Sequence, residues 1–510
     1  MKRLALFFTF SIFYFISNTS ATEYYVDYSN GNDSNSGIVQ NSPFQHCPGD
    51  PNASDNAANV VLSPGDIVTF KAGVEYKGQV IISNSGTTDN FITYMGSVTW
   101  GVGKAIFEME YSRSKAFAGV RNYIRIENIE FLHWTGGGSG VVDIGSHSIV
   151  NNCEFGYVQG WAQNRTKGEL FHLDGVADVS ITNCEFWAVG YYAVKLYDVD
   201  GVYIQNNDFG GINRGSDKGY FSTAIAIRNT ARNVHIEDNN FHDGWQYGGD
   251  VNPELTHSPN WVHGYGNSAG TIHPSNIYIE RNFFYNDHQF NTGTGSDFIG
   301  LGYSLEYAYI RNNIFVNACQ WWGAQVMFAG GADYIWVENN TFVNRDYLNP
   351  STVYGLKVYL SGTGQAAGDN IYIYNNIFYN DDEKTGSICI EFAGGGTFGG
   401  ECDYNSYYTI HGNEDIVGYS GLKNLGEMQA LGFDTHSIFE INGSDIFNYF
   451  PSFPENSSGG DYSLNPGFAS NQIDHGLTRN GYSDSFDGTQ RPQGQAWDMG
   501  AYEIQTGPDQ

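Results

Sequence analysis

The chain has 510 residues and a formal charge of −31, with 24 Lys and Arg against 55 Asp and Glu. That balance excludes nucleic acid and anionic membrane surfaces as partners, because both demand clustered cations. The six cysteines (Cys47, Cys153, Cys184, Cys319, Cys389, Cys402) are too sparse for a disulfide scaffold, and no CxxC spacing supports a zinc site.

At the N-terminus, Met1-Lys2-Arg3, an apolar run from Leu4 to Ile16 and the small residues Ser17 to Ala21 have the order of a secretory signal peptide, assigned to residues 1–21. Export to the periplasm or the medium is expected. No later segment approaches about 18 uninterrupted apolar residues, so no membrane insertion is expected. Residues 22–110 are read as an N-terminal cap, 111–421 as the repeating body with a long loop at 242–274, and 422–510 as a closing tail.

The body carries one short segment again and again: Tyr123 to Phe131, Val179 to Phe186, Val202 to Phe209, Val234 to Phe241, Ile277 to Phe284, Ala308 to Phe315, Ile335 to Phe342 and Ile371 to Phe378. From Val179 onward the period is about 23 to 43 residues. Each unit has a short alternating strand, an Asn corner and an inward Phe, which predicts an all-β coil whose strands stack in parallel on the next coil. Stacked Asn at one corner hydrogen-bond to one another and to the turn, and Cys153 and Cys184 fall in that same column. They are therefore read as buried corner residues. A varying period puts the insertions on one side, often the binding side. The longest, His242 to Pro274, carries Trp245, Tyr247, Trp261, Tyr265, His257, His263 and His273 and is the expected wall of a cleft.

Tyr24 to Asp27 with Gly31-Asn32-Asp33, Ser42-Pro43-Phe44 and Pro64-Gly65-Asp66 resembles the opening segment of bacterial right-handed parallel β-helix proteins. Asp487-Gly488, Arg491-Pro492, Gly494, Asp498 and Gly500 to Glu503 resemble their closing segment. The resemblance implies a right-handed parallel β-helix with an N-terminal cap and a C-terminal closing segment. It implies no single reaction, since this scaffold hosts lyases, hydrolases and binding proteins.

A second strand follows each Phe and its loop, and aligning these strands lets outward positions be read as columns. With Phe171, Leu173, Val194, Leu196, Ile225 and Ile227 inward, His172, Asp174, Lys195, Tyr197 and Arg228 face outward on neighbouring coils about 5 Å apart. The bland alternative is an exposed face carrying solvated charge. Lys357 and Tyr359 repeat the Lys-x-Tyr pattern downstream and are the rival position.

The cluster suits β-elimination from a uronic acid, which requires a carboxylate grip, removal of the C5 proton and protonation of the oxygen leaving C4. Arg228 suits the carboxylate, Lys195 the base if its pKa is lowered, and Tyr197 or His172 the acid. Asp174, His263, Trp261, Trp245, Lys357 and Tyr359 complete the candidate substrate-binding set. The cluster resembles alginate and chondroitin lyases of the parallel β-helix type, which implies Lys195 as base, Arg228 at the carboxylate, and calcium, for which Asp174, near Asp143, is the candidate ligand; that family's surrounding motif is absent. No other cofactor is implied. The expected partner is an acidic polysaccharide or oligosaccharide, and the expected state is a monomer. The proton chemistry leaves chain cleavage and loss of water equally open. Two further readings are a glycoside hydrolase using Asp143 and Asp174 as paired carboxylates, and a non-catalytic sugar-binding protein using aromatics such as Trp321-Trp322 and Tyr191-Tyr192.

Overall fold

The computed structural model describes residues 21–135, 140–156, 169–187, 192–211, 223–242, 260–266, 272–285, 298–302, 304–316, 325–329, 331–344, 358–361, 369–381, 388–393, 399–413, 415–419, 421–441, 446–449 and 459–504. The signal-peptide assignment, Trp245, Tyr247, His257, Cys319, Trp321-Trp322, Tyr191 and Lys357 lie outside them.

Strands of four to six residues with alternating inward and outward side chains, such as Ile124–Glu127 and Val202 to Gln205, form three long sheets that wind together. Two of them have 13 strands and the third has 10, and every rung pairs in parallel except the last of the third, where Val417–Tyr419 meets Leu422–Lys423 antiparallel. The chain is a right-handed parallel β-helix. Each coil takes one strand from each sheet in turn, so inward Ile, Val and Phe from every coil make one continuous core. Phe131, Phe155, Phe186, Phe209, Phe241, Phe284, Phe315, Phe342, Phe378 and Tyr407 stack through it with ring centroids 4.6 to 5.4 Å apart. Rung spacing and near-parallel planes make each contact worth on the order of 1 kcal/mol beyond burial.

The corner between the first and second sheets is a two-residue turn. Its first residue is left-handed, as at Asn183, Asn206, Asn312, Asn339 and Asn375, a conformation Asn tolerates better than other side chains. Its second is the ladder residue: Asn207, Asn239, Asn282, Asn313, Asn340, Asn376 and Asn405. Asn313 Nδ2 donates to Ile279 O on the preceding coil (2.8 Å) and to Asn340 Oδ1 on the next (3.0 Å), and its backbone N–H donates to the same Oδ1 (2.9 Å). Cys153 and Cys184 are buried in this column as read from the sequence, with the Cys184 N–H donating to Asn207 Oδ1 (2.9 Å). Burial pushes the Cys153 thiol well up, and Cys47, Cys153, Cys184 and Cys402 are free thiols, with Cys389 buried as well.

The solenoid starts earlier than the 22–110 cap suggested, since Glu23–Val26, Ile67–Ala72 and Ile92–Gly101 are already rungs of the first sheet. Its far end is closed by the helix Leu425–Ala430, which buries Leu425 and Met428, and by Asp434, which accepts from Ser437 Oγ and Tyr407 Oη next to the last ladder residue. Residues 459–504 do not lie on that end. They run along the flank, where Tyr462, Leu464, Met499 and Ala501 pack on the outer face of the second sheet at Ile314, Val343, Ile377 and Tyr379. Arg491 ties this tail down: it pairs with Glu503 at 2.7 Å, both side chains fully buried, and donates from Nη2 to Asn312 Oδ1 (3.2 Å). Among the described residues no helix is long and apolar enough to cross a membrane.

Candidate active site

The third sheet carries the candidate residues on the strands Glu169–Asp174, Tyr192–Tyr197, Thr223–Arg228 and Asn260–Tyr265. Phe171, Leu173, Val194, Leu196, Ile225 and Ile227 are buried in the core, so the strand alternation turns the positions between them outward. Register places His172, Lys195, Ala226 and His263 in one outward column and Asp174, Tyr197, Arg228 and Tyr265 in the next. Five of the expected site residues are thereby brought together, and His263 joins them.

Arg228 is the best-held cation. Its Nη1 donates to Ile227 O (3.0 Å) and His263 O (2.7 Å), Nη2 lies 3.4 Å from His263 Nδ1, and the guanidinium sits 4.0 Å above the Tyr265 ring and 5.9 Å from that of Tyr192. The column position between Lys195 and His263 is Ala226, which is fully buried. Burial first and then the Arg228 charge push the His263 imidazole down to about 3, so it stays neutral at working pH even though part of its surface reaches solvent. Among the described residues Arg228 has no carboxylate partner. Among the described residues its Nε and one Nη2 hydrogen meet no acceptor, and these two donors form a bidentate edge for an anion.

Lys195 Nζ lies 3.1 Å from Oε1 of Glu169, and His172 Nδ1 lies 3.0 Å from Oε2 of the same carboxylate. Glu169 escapes a pattern reading. Glu169, Leu170 and Phe171 are all buried in succession, so alternation breaks at the start of this strand and assigns the carboxylate to the core side. Its Cα is paired with Tyr192, whose ring lies 6.0 Å from Lys195 Nζ and which is 8% exposed, a wall of the cluster. Tyr265, expected as part of the wall from His242 to Pro274, joins the cluster beneath Arg228. Its column was not legible, because its strand contains Gly264 and lacks a clear apolar alternation.

Other expectations change. Trp261 is 1% exposed and packs against Phe241 at 5.9 Å; although it shares the His263 side of its strand, the head of the strand departs from alternation there, as at Leu170, so the ring belongs to the core and is no part of a substrate wall. Tyr359 stands in the Lys195 column but five strands away, roughly 24 Å by strand spacing, so the rival Lys-x-Tyr position is a separate place on the sheet. Asp143 is held by Lys115 at 2.5 Å and accepts from Gly119 N, so it is not a free carboxylate to pair with Asp174. His273 lies 3.5 Å from Glu306, away from the cluster. Asp174 is exposed, and its register neighbours Tyr197 and Arg228 offer a phenol and a cation. Such a set does not fit calcium, which takes six to eight oxygens and is repelled by a guanidinium. Among the described residues no group of three His, Cys, Asp or Glu is arranged to hold a metal ion. The surface aromatics Tyr203, His235, Tyr278, Tyr309, Trp336 and Tyr372 stack on one another along the first sheet, so their faces are taken.

No protein-family model matches the chain, and neither does any curated protein. Among solved structures, XylC in complex with xylose is 10% identical, covers 95% of this chain and 98% of its own, and superposes with a TM-score of 0.54. A pectate lyase is 16% identical over 95% of this chain and 97% of its own, with a TM-score of 0.42. A lacto-N-biosidase from Eubacterium ramulus is 13% identical with a TM-score of 0.37, and this chain spans 64% of its length. The likeness to XylC, at that identity, bears on the fold alone and leaves the reaction to the side chains of the site.

Proposed function

We propose that this protein is an exported carbon–oxygen lyase that acts by β-elimination on a uronic-acid-containing polysaccharide or oligosaccharide. The observation that carries the reading is Arg228: a cation fixed by two carbonyls and an aromatic face, with a bidentate edge unused and no carboxylate partner among the described residues, in a protein of charge −31. A uronate carboxylate on that edge is neutralised, which makes the C5 proton more acidic and stabilises the enolate-like charge that develops as the proton leaves. His172 and Lys195 stand on the strands before Arg228 to move protons, with Tyr197 beside them. If C4 bears a sugar, the chain is cleaved. If it bears a hydroxyl, water is lost by the same steps.

The hydrolase reading has less support, since its carboxylate pair requires Asp143, which Lys115 occupies. The test is ultraviolet absorbance of the unsaturated product when purified protein meets a panel of uronate polysaccharides and oligosaccharides, with Arg228→Ala alongside. A rise that the variant abolishes is the expected result. New reducing ends without unsaturation would overturn elimination.

A further inference from the structure

Glu169 is the carboxylate that the proposed chemistry has not yet used. It is 5% exposed at the head of its strand, and each oxygen meets a different proton-carrying group: Oε1 is 3.1 Å from Lys195 Nζ and Oε2 is 3.0 Å from His172 Nδ1. Oε2 is fully enclosed and makes no hydrogen bond, which is costly for a carboxylate oxygen. The nitrogen beside it lies out of line in the resting site. Catalytic hydrogen bonds commonly align only when substrate is bound.

Resting on the lyase reading, we propose that Glu169 is a positioning residue that makes His172 the base and Lys195 the acid. A neutral imidazole whose Nδ1–H faces Glu169 presents its Nε2 lone pair to the cleft, the arrangement in which a carboxylate orients a histidine base. An ammonium already paired with the same carboxylate is a proton donor. The step balances as follows. His172 Nε2 takes the C5 proton; the C5–H electron pair becomes the C4=C5 double bond; the C4–O4 bond breaks with its pair going to oxygen; and O4 takes a proton from Lys195 Nζ. This leaves an imidazolium and a neutral amine, one on each oxygen of one carboxylate. Once product leaves, the imidazolium gives its Nε2 proton to solvent and the amine takes one back, while the Glu169 carboxylate holds both groups in place. This assignment differs from Lys195 acting as base, and the two make opposite predictions for His172.

The test uses the full-length protein and the variants Glu169→Gln, which keeps the shape and removes the charge, and His172→Ala. In the protein alone, the His172 imidazole, assigned in nitrogen NMR spectra by its loss in His172→Ala, titrates about one pH unit lower in Glu169→Gln, since an opposite charge at this range favours the imidazolium. With a substrate that the native protein unsaturates, Glu169→Gln lowers kcat about 100-fold with KM within about threefold, and added imidazole restores turnover to His172→Ala, in keeping with the usual size of a general acid–base contribution. A merely structural Glu169 would move neither the titration nor the pH–rate profile. Native elimination with Glu169→Gln unaffected, or with His172→Ala at full rate, overturns this assignment and leaves the lyase reading standing. An unchanged His172 titration in Glu169→Gln also overturns it. Absence of elimination by the native protein overturns both.

Discussion

Replacing Asn340 with Ala should destabilise the middle of the solenoid by about 2 to 6 kcal/mol. Asn340 is fully buried; its Oδ1 accepts from the backbone N–H (2.9 Å) and Nδ2 (3.0 Å) of Asn313, and its Nδ2 donates to Ile310 O (2.8 Å) and Asn376 Oδ1 (3.1 Å). Truncation does not strand all four groups. Asn313 Nδ2 keeps Ile279 O and Asn376 Oδ1 keeps the Asn340 N–H, so the Asn313 N–H and the Ile310 carbonyl are the two that lose their corner partner. An orphaned buried group costs about 1 to 3 kcal/mol, which gives the range, and a domain commonly has only about 5 to 15 kcal/mol in total. Because coils contact only their neighbours, the loss should be local. Native-state hydrogen exchange should show amides of residues 306–344 exchanging faster while those of 23–101 hold. Asn340→Cys should cost less than Ala, since Cys184 fills this column and donates to Thr182 O at 3.2 Å. An Ala variant within about 1 kcal/mol of native would refute the ladder as a source of stability.

Arg228→Lys should lose at least about 100-fold in kcat/KM on any uronate substrate, because an ammonium cannot reproduce a bidentate edge held flat on Tyr265. Glu503→Ala should release the flank tail: it strands the buried Arg491 charge, at a cost of about 3 to 5 kcal/mol, and limited proteolysis should cut residues 459–504 while the coils survive. Stability should fall as pH rises from about 4 to 7. Burial, with Glu237 adding, pushes Glu280 up to about 7, and burial and Glu503 push Asp498 to about 7. A folded pKa above the unfolded value means the folded state binds the extra proton, so the contribution is complete below the unfolded pKa and lost through the folded one. Melting temperatures at pH 5 and 8 should differ less in Glu280→Gln than in the native protein. The buried thiols Cys47, Cys153, Cys184, Cys389 and Cys402 should stay silent to a thiol reagent until denaturant is added.

Much of the architecture was legible before any coordinates. Strand alternation, the corner Asn and the inward Phe recur with each coil, and a repeat can satisfy its backbone only by stacking on its neighbours. Parallel sheets, the ladder and the buried Cys153 and Cys184 follow from that local pattern. Register then carried His172, Lys195, Tyr197 and Arg228 into adjacent outward positions, as counting alternate residues predicts. Tertiary structure decided what counting cannot see. Glu169 joins the cluster because three successive residues at the head of its strand are buried. Trp261 leaves it because the head of its strand departs from alternation and buries that ring in the core. The tail lies along the flank because Arg491 finds Glu503 and the corner Asn312 there. In each case the deciding contact joins residues far apart in the chain or departs from the repeat, and a periodic pattern holds information only about positions that obey its period.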